Sequence, residues 1–77
     1  MKILDYPVYL KSEESGGFSV FCPAFQGCYS QGKTSEEALK NIKEVIELCI
    51  DEIIDEGGKL PNPDDLILKK VAIEYDA

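Results

Sequence analysis

One amphipathic stretch dominates this chain: residues 34 to 56 make up nearly a third of its 77 residues. At 100° per residue, its apolar side chains fall on one broad stripe: Ala38, Leu39, Ile42, Val45, Ile46, Cys49, Ile50 and Ile53. Thr34 and Glu37 have the spacing of a capping box, in which the Thr hydroxyl accepts from a first-turn N–H and Glu37 reaches back to the N–H of Thr34. Gly57 and Gly58 supply a left-handed C-terminal cap. The pattern therefore predicts a long helix packed on a sheet.

Four runs of alternating apolar and polar residues predict the strands of that sheet. They cover residues 3 to 11, 18 to 22, 28 to 31 and, after the helix, 67 to 75. Pro7 has no backbone N–H to donate to a neighbouring strand, so the first strand lies at a sheet edge or has a bulge there. The predicted fold is α+β: a two-layer β-β-β-α-β sandwich with one long helix on one face of a mainly antiparallel sheet, the other face being open.

Length and charge exclude several classes of protein. The whole chain, residues 1 to 77, forms one domain, and its net charge of −7 repels phosphate backbones, so a basic protein partner is expected and direct nucleic-acid binding is not. No apolar run reaches the roughly 20 residues that span a bilayer, and the N-terminus is unlike a signal peptide, which predicts a cytoplasmic protein without membrane contact. A chain this short buries only about 60% of its unfolded surface, so a homodimer or tetramer is expected.

The cysteines do not form a recognisable metal site. Cys22, Cys28 and Cys49 are odd in number, have no Cys-x-x-Cys spacing and have no histidine to assist them, because the chain contains none. We interpret them as small buried hydrophobes and expect no cofactor.

Catalysis would have to rest on carboxylates, because histidine, the usual general base, is missing. Asp5 on the first strand could share a divalent metal with Glu44 or Glu47 of the helix and with an acid of the last strand, Glu74 or Asp76. The helical wheel turns Glu44 and Glu47 away from the sheet. We therefore predict a protein that is not an enzyme.

The helix carries nearly all of the excess negative charge. Residues 34 to 56 hold eight acidic residues and two lysines, a net charge of −6 out of −7. Like charges three or four positions apart cost about 0.2–0.5 kcal/mol each. Leu48 projects into the centre of the acidic arc, and an apolar residue ringed by acids is typical of a docking surface for a basic partner. The predicted partner-binding residues are Glu44, Glu47, Leu48, Asp51 and Asp55; the alternative is a solvated face that aids solubility.

The sheet face away from the helix is also too apolar to be left in water. The alternation places on it Ile3, Pro7, Tyr9, Phe21 and Tyr29. Aromatic side chains on an open sheet can stack RNA bases, but such sites need a basic setting that this chain lacks. We predict that this face is an oligomer or partner interface.

Residues 13 to 48 closely resemble the HicB family of antitoxins. The pattern is an acidic loop, Gly-Gly-aromatic, Cys-Pro, Gly-Cys, and then Gly-x-Thr-x-Glu-Glu-Ala leading into an amphipathic helix. The matching residues are Gly16, Gly17, Phe18, Cys22, Pro23, Gly27, Cys28, Gly32, Thr34, Glu36, Glu37, Ala38, Asn41 and Ile42. The resemblance implies a partly degenerate ribonuclease-H-like fold in which the last strand joins the first in parallel.

The resemblance also implies a function: an antitoxin that binds and silences HicA, a small basic toxin that cleaves mRNA. Two alternatives stay open at this point, an orphan homo-oligomeric HicB-like protein and a vestigial metal-dependent ribonuclease-H-like nuclease. Many members of the family continue into a helix-turn-helix or ribbon-helix-helix segment that binds promoter DNA. This sequence ends at Ala77, so we expect no C-terminal DNA-binding module.

Overall fold

Residues 3–76 are described by a computed structural model, which consists of a three-stranded antiparallel sheet and one long helix. The strands are β1 (Tyr9–Ser12), β2 (Phe18–Phe21) and β3 (Tyr29–Gly32), and the helix is α1 (Ser35–Asp55). A short 3-10 turn, Pro63–Asp65, follows the helix. The predicted α+β class is confirmed.

Strand β2 is the centre of the sheet, with β1 on one side and β3 on the other. The loop from β1 to β2 closes with two bonds of 3.0 Å, from the Glu13 N–H to the Gly17 carbonyl and from the Gly16 N–H to the Glu13 carbonyl. Gly16 and Gly17 have φ angles of 97° and 82°. Only glycine adopts such angles without a steric cost, so the Gly-Gly pair is what allows this tight hairpin.

The N-terminal cap of α1 differs in one detail from the prediction. The Thr34 hydroxyl accepts from the Glu37 N–H at 3.1 Å, as expected. The Glu37 carboxylate, however, accepts from the N–H of Lys33 at 3.2 Å and not from that of Thr34. The backbone of Thr34 has the extended conformation usual for an N-cap residue, with φ −124° and ψ 163°.

The C-terminal cap of α1 is the predicted glycine cap. Gly57 has a φ of 74°, and the N–H groups of Gly57 and Gly58 donate to the carbonyls of Ile54 and Ile53 at 3.0 and 2.8 Å. These two bonds satisfy carbonyls that the end of a helix leaves unpaired. No helix within residues 3–76 is both long and apolar enough to cross a membrane.

The core lies between the inner face of the sheet and the apolar stripe of α1. Its buried residues are Val20, Cys22, Phe25, Cys28, Ala38 and Ile42. From the segment before β1, Tyr6 packs edge-on against Phe25 with ring centroids 4.9 Å apart, and its hydroxyl donates to the Pro61 carbonyl at 2.6 Å. This bond ties the chain after α1 to the segment before β1. Leu39 is 42% exposed, contrary to the prediction that places it on the buried stripe.

The second and third predicted strands agree with the structure to within one residue at each end, whereas the first and fourth differ more. The first begins at Tyr9 rather than at residue 3, and Pro7 therefore lies before the sheet. The fourth, residues 67 to 75, forms no strand within the described chain, and the sheet has no parallel pairing of a last strand with the first. A strand is defined by pairing with a neighbour, and within residues 3–76 residues 67 to 75 pair with none of β1, β2 and β3.

Candidate functional site

The predicted partner-binding residues of the helix form one exposed strip along α1, which we call the acidic stripe: Glu44, Glu47, Leu48, Asp51 and Asp55. At 100° per residue they fall within an arc of about 100°. This arc faces away from Ala38 and Ile42, the residues of α1 that are buried in the core. Leu48, within the arc, is 67% exposed. The helix therefore uses one side to build the fold and presents the other to solvent.

Negative charge accumulates toward the C-terminal end of α1. Six acidic residues and no lysine occur between Glu44 and Glu56, and the last turn holds no basic residue. The helix dipole is also negative at this end, where cations are usually found. Because the carboxylates are exposed, their combined field extends into solvent and attracts positive charge.

A second exposed surface is the aromatic row, formed by Tyr9, Phe21 and Tyr29 on the three strands. Tyr9 is opposite Phe21, and Phe21 is opposite Tyr29 in the register of the sheet. The rings of Tyr9 and Phe21 have centroids 4.9 Å apart and are tilted by 31°. All three side chains are exposed. The row is a continuous apolar surface of the kind that marks interaction sites.

Ile3 does not join the aromatic row. It lines a groove of about 450 Å³ between the segment before β1 and α1, together with Ile50. Asp5 and Glu47 line the same groove, beside Lys43, so two of the acids considered for a metal site come near each other. Across residues 3–76 the structure brings together no group of three side chains of the kinds that hold a metal ion.

The three cysteines meet in and beside the core, and all are free thiols. Burial raises the pKa of the Cys28 thiol to about 12, with the neighbouring Cys49 and Cys22 acting in the same direction. A thiol with this pKa stays protonated at neutral pH and is a poor nucleophile and metal ligand. The prediction of small buried hydrophobes is confirmed for Cys22 and Cys28, whereas Cys49 is half-buried.

Sequence reasoning missed one exposed surface, the C-terminal segment, residues 67–76. Its large apolar side chains are exposed: Ile67 by 74%, Val71 by 80%, Ile73 by 77% and Tyr75 by 84%, with Leu68 at 51%. The alternation of residues was the available signal, but it predicted a strand over residues 67 to 75 that the described residues do not form. Alternation does not identify the surface that covers the apolar side chains of the segment.

Sequence comparisons relate this chain to a known family. Residues 6–77 match the family model of a HicB-like antitoxin of bacterial toxin-antitoxin systems. A UPF0150 protein of Synechocystis sp. is 47% identical over 72 residues, which are 94% of this chain and 90% of that protein. A UPF0150 protein of Thermoplasma acidophilum is 41% identical over 58 residues, 75% of this chain and 84% of that protein. Because the match runs from the core residue Tyr6 through the C-terminal segment, this chain belongs to the HicB-like antitoxin family.

Proposed function

We propose that this protein is a cytoplasmic antitoxin that binds and neutralises a small basic toxin of the HicA type, an mRNA-cleaving ribonuclease. Membership of the antitoxin family supports a toxin as the kind of partner. The observation that carries the proposal is the acidic stripe, in which the exposed Leu48 is surrounded by carboxylates. The protein acts by occupying a surface of the toxin and not by catalysis.

The chemistry of the two partners supports this mode of binding. A ribonuclease that holds RNA needs a basic surface to bind the phosphate backbone. The acidic stripe presents carboxylates to such a surface and competes for it with RNA. Complementary charge mainly accelerates and orients the encounter, while burial of an apolar side chain such as Leu48 at the centre of an interface supplies affinity.

Binding of the purified toxin by the Leu48→Lys/Asp51→Lys double variant tests this proposal. We expect its dissociation constant, measured by isothermal titration calorimetry, to rise about 100-fold or more, because an apolar anchor is lost and attraction becomes repulsion. Protection of RNA from cleavage by the toxin should fall in parallel. The affinity of the unaltered protein should decrease as salt is added.

The matched control is Glu14→Lys/Ser15→Lys, which changes the net charge by the same +3 in the exposed hairpin loop. We expect this variant to keep its affinity to within a few-fold, because long-range charge alone has a weak effect in salt. Equal affinities for the stripe variant and the unaltered protein would exclude the acidic stripe as the toxin-binding surface. Equal losses of affinity in the two double variants would show that the acidic stripe acts only through the net charge of the protein.

A further inference from the structure

We propose that the C-terminal segment is an exchange strand: residues 67–76 of one chain add to the open edge of β1 in a second copy, and the second copy returns the same contact. Each chain thereby supplies the fourth strand of the other chain's sheet. The strand that occupies the open edge comes from a second copy of this protein. This exchange does not depend on toxin binding.

The C-terminal segment has the composition of a strand but lacks the contacts of one. By alternation, one side of the segment is mainly apolar and the other mainly polar. The first side holds Ile67, Lys69, Val71, Ile73 and Tyr75, and the second holds Leu68, Lys70, Ala72, Glu74 and Asp76. The Leu66 N–H donates to the Pro63 carbonyl at 3.2 Å, and beyond it the described residues 67–76 form no backbone-to-backbone hydrogen bond. Both the backbone and the apolar side are therefore available for pairing.

The chain as a whole is extended, in keeping with the exposure of this segment. The radius of gyration is 14.8 Å, whereas a compact domain of this length has a value of about 11.5 Å. The longest dimension, 49 Å, is well over the other two, 29 and 21 Å. A strand-like apolar segment that stands off its own body is the geometry from which reciprocal exchange between two copies arises.

The outer edge of β1 can receive this segment. In an antiparallel pair, residues alternate between those bonded to the neighbouring strand and those whose backbone points outward. The bond from the Glu13 N–H to the Gly17 carbonyl fixes this alternation for β1 and β2. It follows from the register that the backbone groups of Leu10 and Ser12 point outward, away from β2.

The opposite edge of the sheet, that of β3, is partly occupied. The bond from the Cys22 N–H to the Cys28 carbonyl shows which residues of β3 are bonded to β2 and which point outward. With the register, it follows that the backbone groups of Gln31 point outward, away from β2. The side-chain amide of Asn41, from α1, donates to the Gln31 carbonyl at 2.7 Å. A strand added to β3 would have to displace this bond, so β1 is the better acceptor.

Charge favours exchange of this segment over contact between the two bodies. Residues 67–76 contain two lysines and two acidic residues, a net charge of zero, while the whole chain carries −7. Two acidic bodies repel each other, but a neutral segment seats on the second body without adding repulsion. The exchanged strand also enlarges the apolar surface that each short chain buries.

The experiment compares full-length Ile73→Asp with Ala72→Asp by sedimentation velocity over a range of concentrations. The two variants carry the same charge change at adjacent exposed positions on opposite sides of the segment. We expect the unaltered protein and Ala72→Asp to be dimers, and Ile73→Asp to dissociate with a constant raised about 100-fold. Since Ile73 is 77% exposed in the single chain, the substitution removes no packing from the monomer.

Isotope-filtered NMR on a mixture of carbon-13-labelled and unlabelled chains identifies which copy the segment contacts. Exchange requires intermolecular cross-peaks between the methyl groups of Val71 or Ile73 and residues of β1. A monomeric protein, or cross-peaks confined to one chain, would mean that the segment folds onto its own sheet and would overturn the proposal. A dimer that Ile73→Asp leaves intact would overturn it as well, in favour of the aromatic row as the dimer contact.

Discussion

At Gly32, β3 and α1 approach each other closely. A Cβ atom at this position would lie 2.8 Å from the Glu37 carbonyl carbon and 2.9 Å from the Cα of Ala38. These are backbone atoms at the start of a capped helix, so they have no rotamer by which to move aside. The close packing of the helix on the sheet therefore depends on glycine at this position.

Gly32→Ala should lower the free energy of unfolding by about 2 kcal/mol or more, because the added methyl group overpacks a rigid contact. Urea denaturation measures the change. The control is Gln31→Ala, an exposed neighbour whose carbonyl keeps its bond from Asn41, and its effect should stay within about 0.5 kcal/mol. If the two variants were equally stable, the close approach at Gly32 would be disproved.

Cys28 makes stability sensitive to high pH. Its pKa is raised from 9.0 to about 12 in the folded protein, so in the unfolded chain the thiol loses its proton at a lower pH than in the folded chain. The stabilising contribution is complete below pH 9 and is lost as pH rises toward 12. Stability should fall by about 1.4 kcal/mol per pH unit in this window from Cys28 alone.

Urea denaturation between pH 8 and 10.5 checks this expectation. Cys28→Ala should be less stable at every pH, because it leaves a cavity, but its stability should fall less steeply above pH 9. Parallel slopes for Cys28→Ala and the unaltered protein would show that Cys28 does not titrate in this way. The same raised pKa predicts slow alkylation of Cys28 at neutral pH.

At the scale of the element, the charges near the C-terminal end of α1 lower the stability of the helix. Acidic residues at positions 36 and 37 suit the positive N-terminal end of the helix dipole, but those near the C-terminal end, such as Asp55 and Glu56, oppose it. A helix that only needed to cover the sheet would gain from lysine in its last turn. The unfavourable charges support a role for this end of α1 in binding.

Glu56→Lys should raise the free energy of unfolding by about 0.5 kcal/mol, because it places a cation at the negative end of the dipole. Glu36→Lys makes the same change in net charge at the opposite end, and it should lower stability by a similar amount. Thermal or urea unfolding at low salt measures both. Shifts of the same sign would show that net charge dominates over the helix dipole.

At the scale of the whole molecule, the described residues 3–76 leave an apolar segment uncovered. They form a three-stranded sheet, the C-terminal segment is exposed, and the radius of gyration of 14.8 Å exceeds that of a compact chain of this length. In the proposed dimer a second copy covers this segment. Folding and association are then parts of one equilibrium.

The melting temperature should therefore rise with protein concentration, because dimerisation favours the folded state by mass action. Calorimetry or circular dichroism over a hundredfold range of concentration measures this dependence. Ala72→Asp should behave like the unaltered protein, whereas Ile73→Asp should melt at a lower temperature with little dependence on concentration. A melting temperature of the unaltered protein that stays constant with dilution would contradict coupled folding and association.

Much of the candidate site could be predicted because it depends on helical period alone. The exposure of Leu48 and its acidic neighbours follows from their spacing relative to Ala38 and Ile42. Ile3 could not be assigned in this way. Alternation placed it with Tyr9, but residues 3–8 lie before the sheet, and outside a strand the alternation of faces no longer applies.

The sequence by itself determined the elements whose causes lie within a few residues: the helix cap at Thr34, the glycine that ends the helix at Gly57, and the hairpin loop at Gly16 and Gly17. Only the tertiary structure decided that β3 packs against the start of α1, and that residues 67–76 pair with no strand within residues 3–76. The reason is that capping and turns are local interactions, whereas a strand exists only by pairing. Alternation specifies which side of a strand is to be buried, and the partner that buries it depends on the arrangement of the folded molecule.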